Sequence, residues 1–296
     1  MNSILTAKEL ATKYEFAGSK WFYEFRELNI FCSEKRAAKS IQRLAQKYSQ
    51  ITQNWSQERN SEWICRTYLS AKMILSATLQ LEAIEHAKKQ NLRIVIPYLE
   101  YYTLLALLRA IIYTLPQLDW DDGKLVAISH QKAINLSLDH LSSFNPDETQ
   151  KFKEKILDLK ANRELISYKS PTSGDEGVIQ RDGILALSTT LAEVAQLNSE
   201  VLERSILKNA DEHNFVFHDE YASKLFFITI EDRKFFDRED AYRLNYIARK
   251  YPLPPNIRHI MTEGHVEDFF GSWCTYEENE NVFDPNSDLQ LIFDVP

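Results

Sequence analysis

The sequence predicts a mainly α-helical protein, an antiparallel helical bundle with a small C-terminal α+β portion. Apolar side chains recur every three or four residues through most of the chain up to about residue 208, as on one face of a helix. Only 7 glycines and 9 prolines occur in 296 residues, which argues against a turn-rich β fold. The apolar fraction of 44% is typical of a globular chain and excludes wholesale disorder.

The first part of the chain contains one clear helix. Residues 1–32 are rich in aromatic side chains and show no regular pattern. From Ser33 to about Trp55 the spacing predicts an amphipathic helix, because Ala37, Ile41 and Leu44 fall on one face. Four basic residues, each four positions apart, lie on another face and are called the basic stripe here: Lys35, Lys39, Arg43 and Lys47.

Two apolar helices are expected at the centre of the bundle. Asn60 and Ser61 are good N-caps for a helix from Glu62 to about Gln90. Pro97 then occupies a favourable first position, and the following run to about residue 115 is apolar nearly all round, as in a central helix. That run is shorter than the roughly 20 residues of a membrane span and contains Arg109, so we expect a core helix and no membrane contact.

Three further helices complete the predicted bundle. They cover about Val126–Phe144, Glu148–Tyr168 and Gly183–Lys208. Asn145-Pro146-Asp147 separates the first two, and a polar loop at residues 170–177 precedes the third. Because the connections are short, neighbouring helices should pack antiparallel.

The pattern of apolar residues and the charge of the sequence change near residue 210. Residues 222–230 predict a strand, Glu239–Tyr251 and Val266–Cys274 predict short helices, and the last nine residues predict a strand. We therefore divide the chain into an N-terminal helical segment (1–59), a helical bundle (60–209) and an acidic C-terminal α+β region (210–296). Residues 211–296 carry 8 basic and 18 acidic side chains, a net charge of −10 that opposes contact with phosphates and suits a basic partner or solubility.

Several classes of site are not indicated by the sequence. The three cysteines, Cys32, Cys65 and Cys274, are far apart, so we expect reduced thiols in a cytoplasmic protein. The sequence contains no P-loop for phosphates and no Gly-x-Gly-x-x-Gly motif for dinucleotides. It also lacks the Gly-x-Ser-x-Gly motif of hydrolases and the His-Glu-x-x-His motif of zinc proteases. His213 and His218 lie among acidic residues, but a solvated linker is the favoured interpretation over a metal site. We expect no cofactor and no metal ion.

The middle of the chain resembles a known family. Tyr101 and Tyr102 open the central helix, Ser129 and His130 open the next, and Arg163 lies near the end of a later helix, followed by Tyr168. Over about residues 60–206 this order resembles HEPN domains, the helical bundles of many prokaryotic toxin–antitoxin and antiviral systems. The resemblance implies a component of such a system that binds a partner protein or RNA. It also implies a homodimer, which the sequence alone does not require.

The chain departs from the ribonucleases of this family at one position. Those members carry an Arg, four to six further residues and then a His, whereas here Arg163 is followed after four residues by Tyr168. Tyrosine, with a pKa near 10, is a poor general base at neutral pH. Arg258 and His265 have the family spacing but lie outside the bundle, and we interpret them as a chance match. His130 is an alternative source of the imidazole, so the candidate catalytic residues are Arg163, Tyr168 and His130.

Five basic residues are candidates for binding nucleic acid or a partner: Lys35, Lys39, Arg43, Lys47 and Arg109. The basic stripe suits phosphates or the acidic C-terminal region of the same or a neighbouring chain, although a solvated face is the simpler interpretation. Arg109 lies among apolar residues, so its charge needs a partner. An ion pair with Glu100, Asp119 or Asp121 is favoured over a phosphate or dimer contact.

Three functions remain open from the sequence. The first is a HEPN-like binding component whose nuclease motif is degenerate. The second is a helical adaptor with no catalytic role. The third is an active, metal-independent ribonuclease.

Overall fold

The computed structural model describes residues 15–16, 19–20, 23–179, 183–250, 253–273, 283 and 292–295. In these residues the protein is a helical bundle with two small antiparallel hairpins, one before the bundle and one in the C-terminal region. The predicted fold class, mainly α with a small C-terminal α+β portion, is confirmed.

The elements follow one another with short connections. The helices are α1 (Leu28–Phe31), α2 (Glu34–Thr52), α3 (Gln57–Lys89), α4 (Ile96–Tyr113), α5 (His130–Ser142), α6 (Pro146–Lys169), α7 (Ile184–Asn209), α8 (Asp219–Phe226), α9 (Arg238–Lys250), α10 (Ile257–Ile260) and α11 (Glu263–Gly271). Short 3₁₀ turns cover Arg93–Val95, Asp121–Ala127 and Glu212–Asn214. The strands are β1 (Glu15–Phe16), β2 (Ser19–Lys20), β3 (Phe227–Ile230) and β4 (Arg233–Phe236), and β1 pairs with β2 as β3 pairs with β4.

The helix α4 lies at the centre of the bundle, as predicted. It packs against α3, α5, α6 and α7, which explains why its apolar residues are distributed nearly all round. Among the described residues, Arg93–Tyr113 is long and apolar enough to cross a membrane by length and composition alone. However, 56% of its most apolar window is buried inside the bundle, as expected for the core helix of a soluble protein.

One hydrophobic core joins the described parts of the chain. The helix α2 packs on α7, while α8, α10 and α11 pack on α3. Core residues extend from Tyr23 to Phe293, so they come from all three of the predicted segments. The division at residues 59 and 209 stays a prediction.

The predicted start of α3 is wrong. The helix begins directly after Ser56, whose side chain accepts a hydrogen bond from a backbone N–H of the first turn (3.3 Å). Asn60 and Ser61, the expected caps, are buried inside the helix. Asn60 Nδ2 donates to the carbonyl oxygen of Val216 (2.9 Å), and Ser61 Oγ accepts from the backbone N–H of His218 (3.0 Å). These polar side chains therefore hold the connection after α7 instead of capping a helix.

The predicted start of α5 at Val126 is also wrong. Val126 and Ala127 end a 3₁₀ turn, and Ile128 and Ser129 have non-helical ψ values of 133° and 151°, so an α-helix cannot run from Val126 through them. The helix begins after Ser129, whose Oγ accepts from the N–H of Lys132 (3.4 Å). This start determines where His130 lies.

The C-terminal predictions are partly confirmed. The helices α9 and α11 occur where short helices are expected. Residues 222–226 belong to α8, however, because Ala222 and Leu225 lie three apart and are buried on one helix face; only 227–230 form a strand. Residues 292–295 are not a strand, and the remainder of the predicted final strand lies outside the described residues.

Candidate functional site

The residues that carry the family resemblance meet where α4, α5 and α6 pack together. The helix α4 contacts both α5 and α6, and α5 contacts α6. The second turn of α4 supplies two residues, the first position of α5 supplies one, and the last two turns of α6 supply two. These five residues are called the Tyr/His/Arg cluster here: Tyr101, Tyr102, His130, Arg163 and Tyr168.

His130 is held between the paired tyrosines. A hydrogen bond of 3.1 Å joins the Tyr101 hydroxyl and His130 Nδ1. The imidazole ring lies 5.9 Å from the Tyr101 ring and 6.1 Å, edge-to-face, from the Tyr102 ring. Because His130 is the first residue of α5, it also lies beside the free N–H groups and the positive end of that helix.

The environment keeps His130 neutral. Desolvation lowers the pKa of His130, and the positive charges of Arg109, Arg163 and Lys160 lower it further. A neutral imidazole at neutral pH has one nitrogen that can accept a proton. This is the protonation state that a general base requires.

Arg163 lies over two of the tyrosine rings. Its guanidinium carbon is 5.1 Å from the Tyr101 ring centre and 6.0 Å from that of Tyr168. Desolvation acts to lower the pKa of Arg163, but hydrogen bonding to Tyr168 and the nearby phenol groups outweigh it, so the pKa is raised. The Nε atom is buried and has no hydrogen-bond partner among the described residues. Arg163 therefore carries a permanent charge with an unused donor.

Two more cations border the cluster. Arg109 lies seven residues after Tyr102 on the same face of α4, and its Nη2 is 3.5 Å from the carbonyl oxygen of Ile128. Its Nε is buried without a partner in the described part of the chain. The favoured ion pair with Glu100, Asp119 or Asp121 is not formed. Lys160 donates to Gln131 Oε1 (3.2 Å), next in sequence to His130.

The cluster has a surplus of positive charge at the surface. Within the described residues, Glu164 is the only carboxylate within 4 Å of Arg109, Lys160 or Arg163; its Oε1 is 3.7 Å from Arg163. Tyr102 and Tyr168 are 41% and 73% exposed, so aromatic rings flank the cations. Exposed rings beside guanidinium groups suit a flat, anionic ligand such as a single strand of nucleic acid.

The basic stripe belongs to a different surface. Lys35, Lys39, Arg43 and Lys47 are all exposed on α2. Ser40 of α2 donates to the carbonyl oxygen of Ser143, just after the end of α5, whereas His130 begins that helix. The basic stripe therefore lies near one end of α5 and His130 lies at the other, and the 13 residues of this helix span about 20 Å.

A groove lies beside the basic stripe. It has a volume of about 550 Å³ between α2 and α7, and its lining includes Lys39, Arg204 and Lys208. Of the described residues after 210, none forms an ion pair with Lys35, Lys39, Arg43 or Lys47. The expected contact with the acidic C-terminal region is therefore not made within the described part of one chain.

The other sequence candidates are engaged elsewhere. Arg258 is buried, with its Nη atoms 3.6 Å from Glu200 and 3.7 Å from Glu203, which supports its interpretation as a chance match. His213 Nδ1 lies 2.8 Å from Asp211 at the surface. Across the described ranges, no three His, Cys, Asp or Glu side chains are arranged to hold a metal ion.

The structure adds Lys160, which the sequence analysis did not assign to the site. Lys160 could have been found, because it lies three residues before Arg163 and so on the same face of α6. The position of Arg109 beside the cluster depends on the packing of α4 and α5, and no local pattern indicates it. Comparisons of the chain with protein-family models, with curated proteins and with solved structures found no match.

Proposed function

We propose that this protein is a HEPN-like component of a prokaryotic defence or toxin–antitoxin system and that it binds RNA through the Tyr/His/Arg cluster. One observation carries the proposal: residues from three helices converge on a surface site where Arg109, Lys160 and Arg163 face a single nearby carboxylate. The protein acts in the cytoplasm together with a protein partner. That partner is either a different protein or a second copy of this chain.

The cluster divides RNA recognition between two kinds of side chain. Arg163 and Arg109 supply guanidinium groups, whose planar forks suit phosphate oxygens. Tyr102 and Tyr168 have exposed rings on which bases stack without regard to sequence. Binding should therefore prefer single strands and weaken as the salt concentration rises.

A binding experiment with matched variants tests this function. We expect Arg163→Ala to weaken binding of a labelled single-stranded RNA by about tenfold or more, because a charge-assisted phosphate contact is lost. The control is Lys153→Ala, which removes an exposed cation from the same helix. Fluorescence anisotropy at two salt concentrations measures both affinities. Wild-type affinity in Arg163→Ala would contradict the proposal, and loss of affinity in Arg43→Ala instead would assign RNA to the basic stripe.

The second candidate function is a metal-independent ribonuclease, which the proximity of His130 to the Arg163–Tyr101 pair favours. In this reaction His130 takes the proton of a ribose 2′-hydroxyl, whose oxygen attacks the adjacent phosphorus. The bond from phosphorus to the 5′-oxygen breaks, and that oxygen takes a proton from solvent. Arg163 stabilises the charge that develops on the phosphate oxygens.

The same RNA assay separates the two functions. Cleavage by the wild type that is lost in His130→Asn, with RNA affinity retained, would establish the ribonuclease. Tyr168→Phe tests whether the phenol replaces the usual histidine. If the wild type binds RNA and never cleaves it, the binding function stands alone. A retained protein partner with no affinity for RNA would favour the helical adaptor.

A further inference from the structure

A second cavity, lined by both charged and aromatic side chains, lies away from the Tyr/His/Arg cluster. It has a volume of about 490 Å³ and lies between α3, α9 and α11, on the side of the acidic C-terminal region. This volume is in the range of ligand pockets in proteins, roughly 300–1,000 Å³. The RNA-binding proposal uses none of its lining residues.

The floor of the cavity has more negative than positive charge. Asp240 is only 5% exposed and accepts hydrogen bonds from the Tyr68 hydroxyl (2.7 Å) and from Lys72. The same Lys72 ammonium lies 3.6 Å from Asp237. One cation therefore faces two carboxylates. Arg243 does not correct the imbalance, because it is paired with Asp268.

The buried side chain of His265 has one ring nitrogen, Nε2, without a hydrogen-bond partner among the described residues. The residue lines the cavity and is 4% exposed. Its ring packs 5.6 Å from the Tyr68 ring. Burial and the charges of Arg243 and Lys72 lower the pKa of His265 to about 3, so it adds no positive charge at neutral pH. Buried polar atoms are nearly always paired, so this nitrogen is left as a hydrogen-bonding atom for a group that enters the cavity.

Aromatic rings surround the mouth of the cavity. Tyr242 and Trp273 are 70% and 64% exposed, and Tyr246 and Phe269 are half-buried beside them. Exposed rings of this size around a cavity offer faces on which a flat group can stack and which attract a cation.

We propose that this cavity binds a small arylalkylamine, that is, an aromatic ring joined by a short alkyl chain to a protonated amine. The ammonium group lies against Asp237 and Asp240, and the ring of the ligand packs between Tyr242 and Trp273. The local charge favours a cation, because Asp237 and Asp240 share the single cation Lys72, whereas Asp268 is paired with Arg243 and Glu239 is paired with Arg238. The net charge of −10 over residues 211–296 acts in the same direction and disfavours ligands with phosphate groups.

Calorimetric titration of the full chain with three probes tests the site. Tyramine has the required ring and ammonium group, 4-ethylphenol is its neutral analogue, and adenosine monophosphate carries a ring with a phosphate. We expect tyramine to bind in the micromolar to millimolar range, and the other two to bind at least tenfold more weakly. The chain has five tryptophans, so the second readout of stacking at the mouth is the part of the fluorescence quenching by tyramine that Trp273→Ala removes.

Variants locate the binding. Tyr242→Ala and Trp273→Ala remove exposed rings and should lower the affinity for tyramine at least fivefold. Asp237→Asn keeps the oxygen that accepts from the N–H of Asp240 but removes the charge, with the same expected loss. Phe235→Ala removes a ring that is 51% exposed outside the cavity and should bind as the wild type does.

Three outcomes would overturn the proposal. The first is no detectable binding of tyramine, and the second is equal affinity for 4-ethylphenol, which would show that the cation has no role. The third is tyramine binding that Tyr242→Ala, Trp273→Ala and Asp237→Asn leave unchanged. None of these outcomes bears on RNA binding, which is measured separately with Arg163→Ala, so the two proposals stand or fall independently.

Discussion

Arg66 is a buried charge that closes the end of the central helix. The residue is 1% exposed in the middle of the core, and it forms an ion pair with Glu62 one turn earlier in α3 (3.3 Å). Its guanidinium donates, at 2.6–2.9 Å, to three carbonyl oxygens at and beyond the end of α4: those of Tyr113, Leu115 and Leu118. Carbonyl groups at a helix end have no partner within the helix, so Arg66 acts as the cap.

We expect Arg66→Met to lower the free energy of unfolding by about 3–5 kcal/mol. The substitution preserves much of the volume but leaves two buried carbonyl oxygens, a partly buried third and Glu62 without their donor. Urea unfolding at constant pH measures the change. The control is Lys88→Met, which removes an exposed ion pair of the same helix and should cost less than about 1 kcal/mol. Similar losses in both variants would contradict this role.

The short helix α1 is held by a side chain from a distant helix. Glu193 of α7 is 1% exposed, and its carboxylate accepts from the backbone N–H groups of Arg26 (2.8 Å), Glu27 (3.2 Å) and Leu28 (2.6 Å). The N-cap position of α1 has no side-chain hydrogen bond of its own. One carboxylate of α7 therefore supplies the cap that the local sequence lacks.

We expect Glu193→Ala to free these three amides. The free energy of unfolding should fall by about 3 kcal/mol, because buried N–H groups lose their acceptor. Hydrogen exchange should accelerate at residues 26–28 more than elsewhere in the core. The control is Glu154→Ala, an exposed acid on α6, which should change neither quantity. Unchanged exchange at residues 26–28 in Glu193→Ala would show that another group holds α1.

At the scale of the whole molecule, a buried charge network joins the C-terminal region to the bundle. Arg258 of α10 lies between Glu200 and Glu203 of α7, and His259 Nε2 is 3.3 Å from Glu203. One guanidinium cannot compensate two carboxylates. Desolvation, only partly offset by Arg258, therefore raises the pKa of Glu200 from 4.5 to about 7.

This network makes stability depend on pH. A carboxyl group whose pKa is raised by folding contributes stability that is present below about pH 4.5 and is lost as the pH rises to about 7. Glu200→Gln cannot ionise, so its stability relative to the wild type should rise by about 3 kcal/mol across this window. Urea unfolding of both proteins from pH 4.5 to 8 measures the difference. Glu154→Gln should show no such trend, and a constant difference for Glu200→Gln would refute the assignment.

Helix content and the central position of α4 follow from the sequence because both depend on local patterns. Apolar spacing defines a buried face wherever the helix lies, and a run that is apolar all round needs neighbours on every side. Helix starts were less predictable. Asn60 and Ser61 have the chemistry of caps, but their side chains hold the chain near Val216 and His218, more than 150 residues away.

The sequence by itself determined the fold class, most of the helices and the identity of Arg163, Tyr168 and His130 as candidates. Only the tertiary structure decided that His130 and Arg163 lie in one cluster and that Arg109 contributes to it. The physical reason is that hydrophobic periodicity orients a helix toward the core but does not specify which helix it meets. Those pairings depend on contacts between residues far apart in the chain, and these contacts place α5 and α6 together on α4.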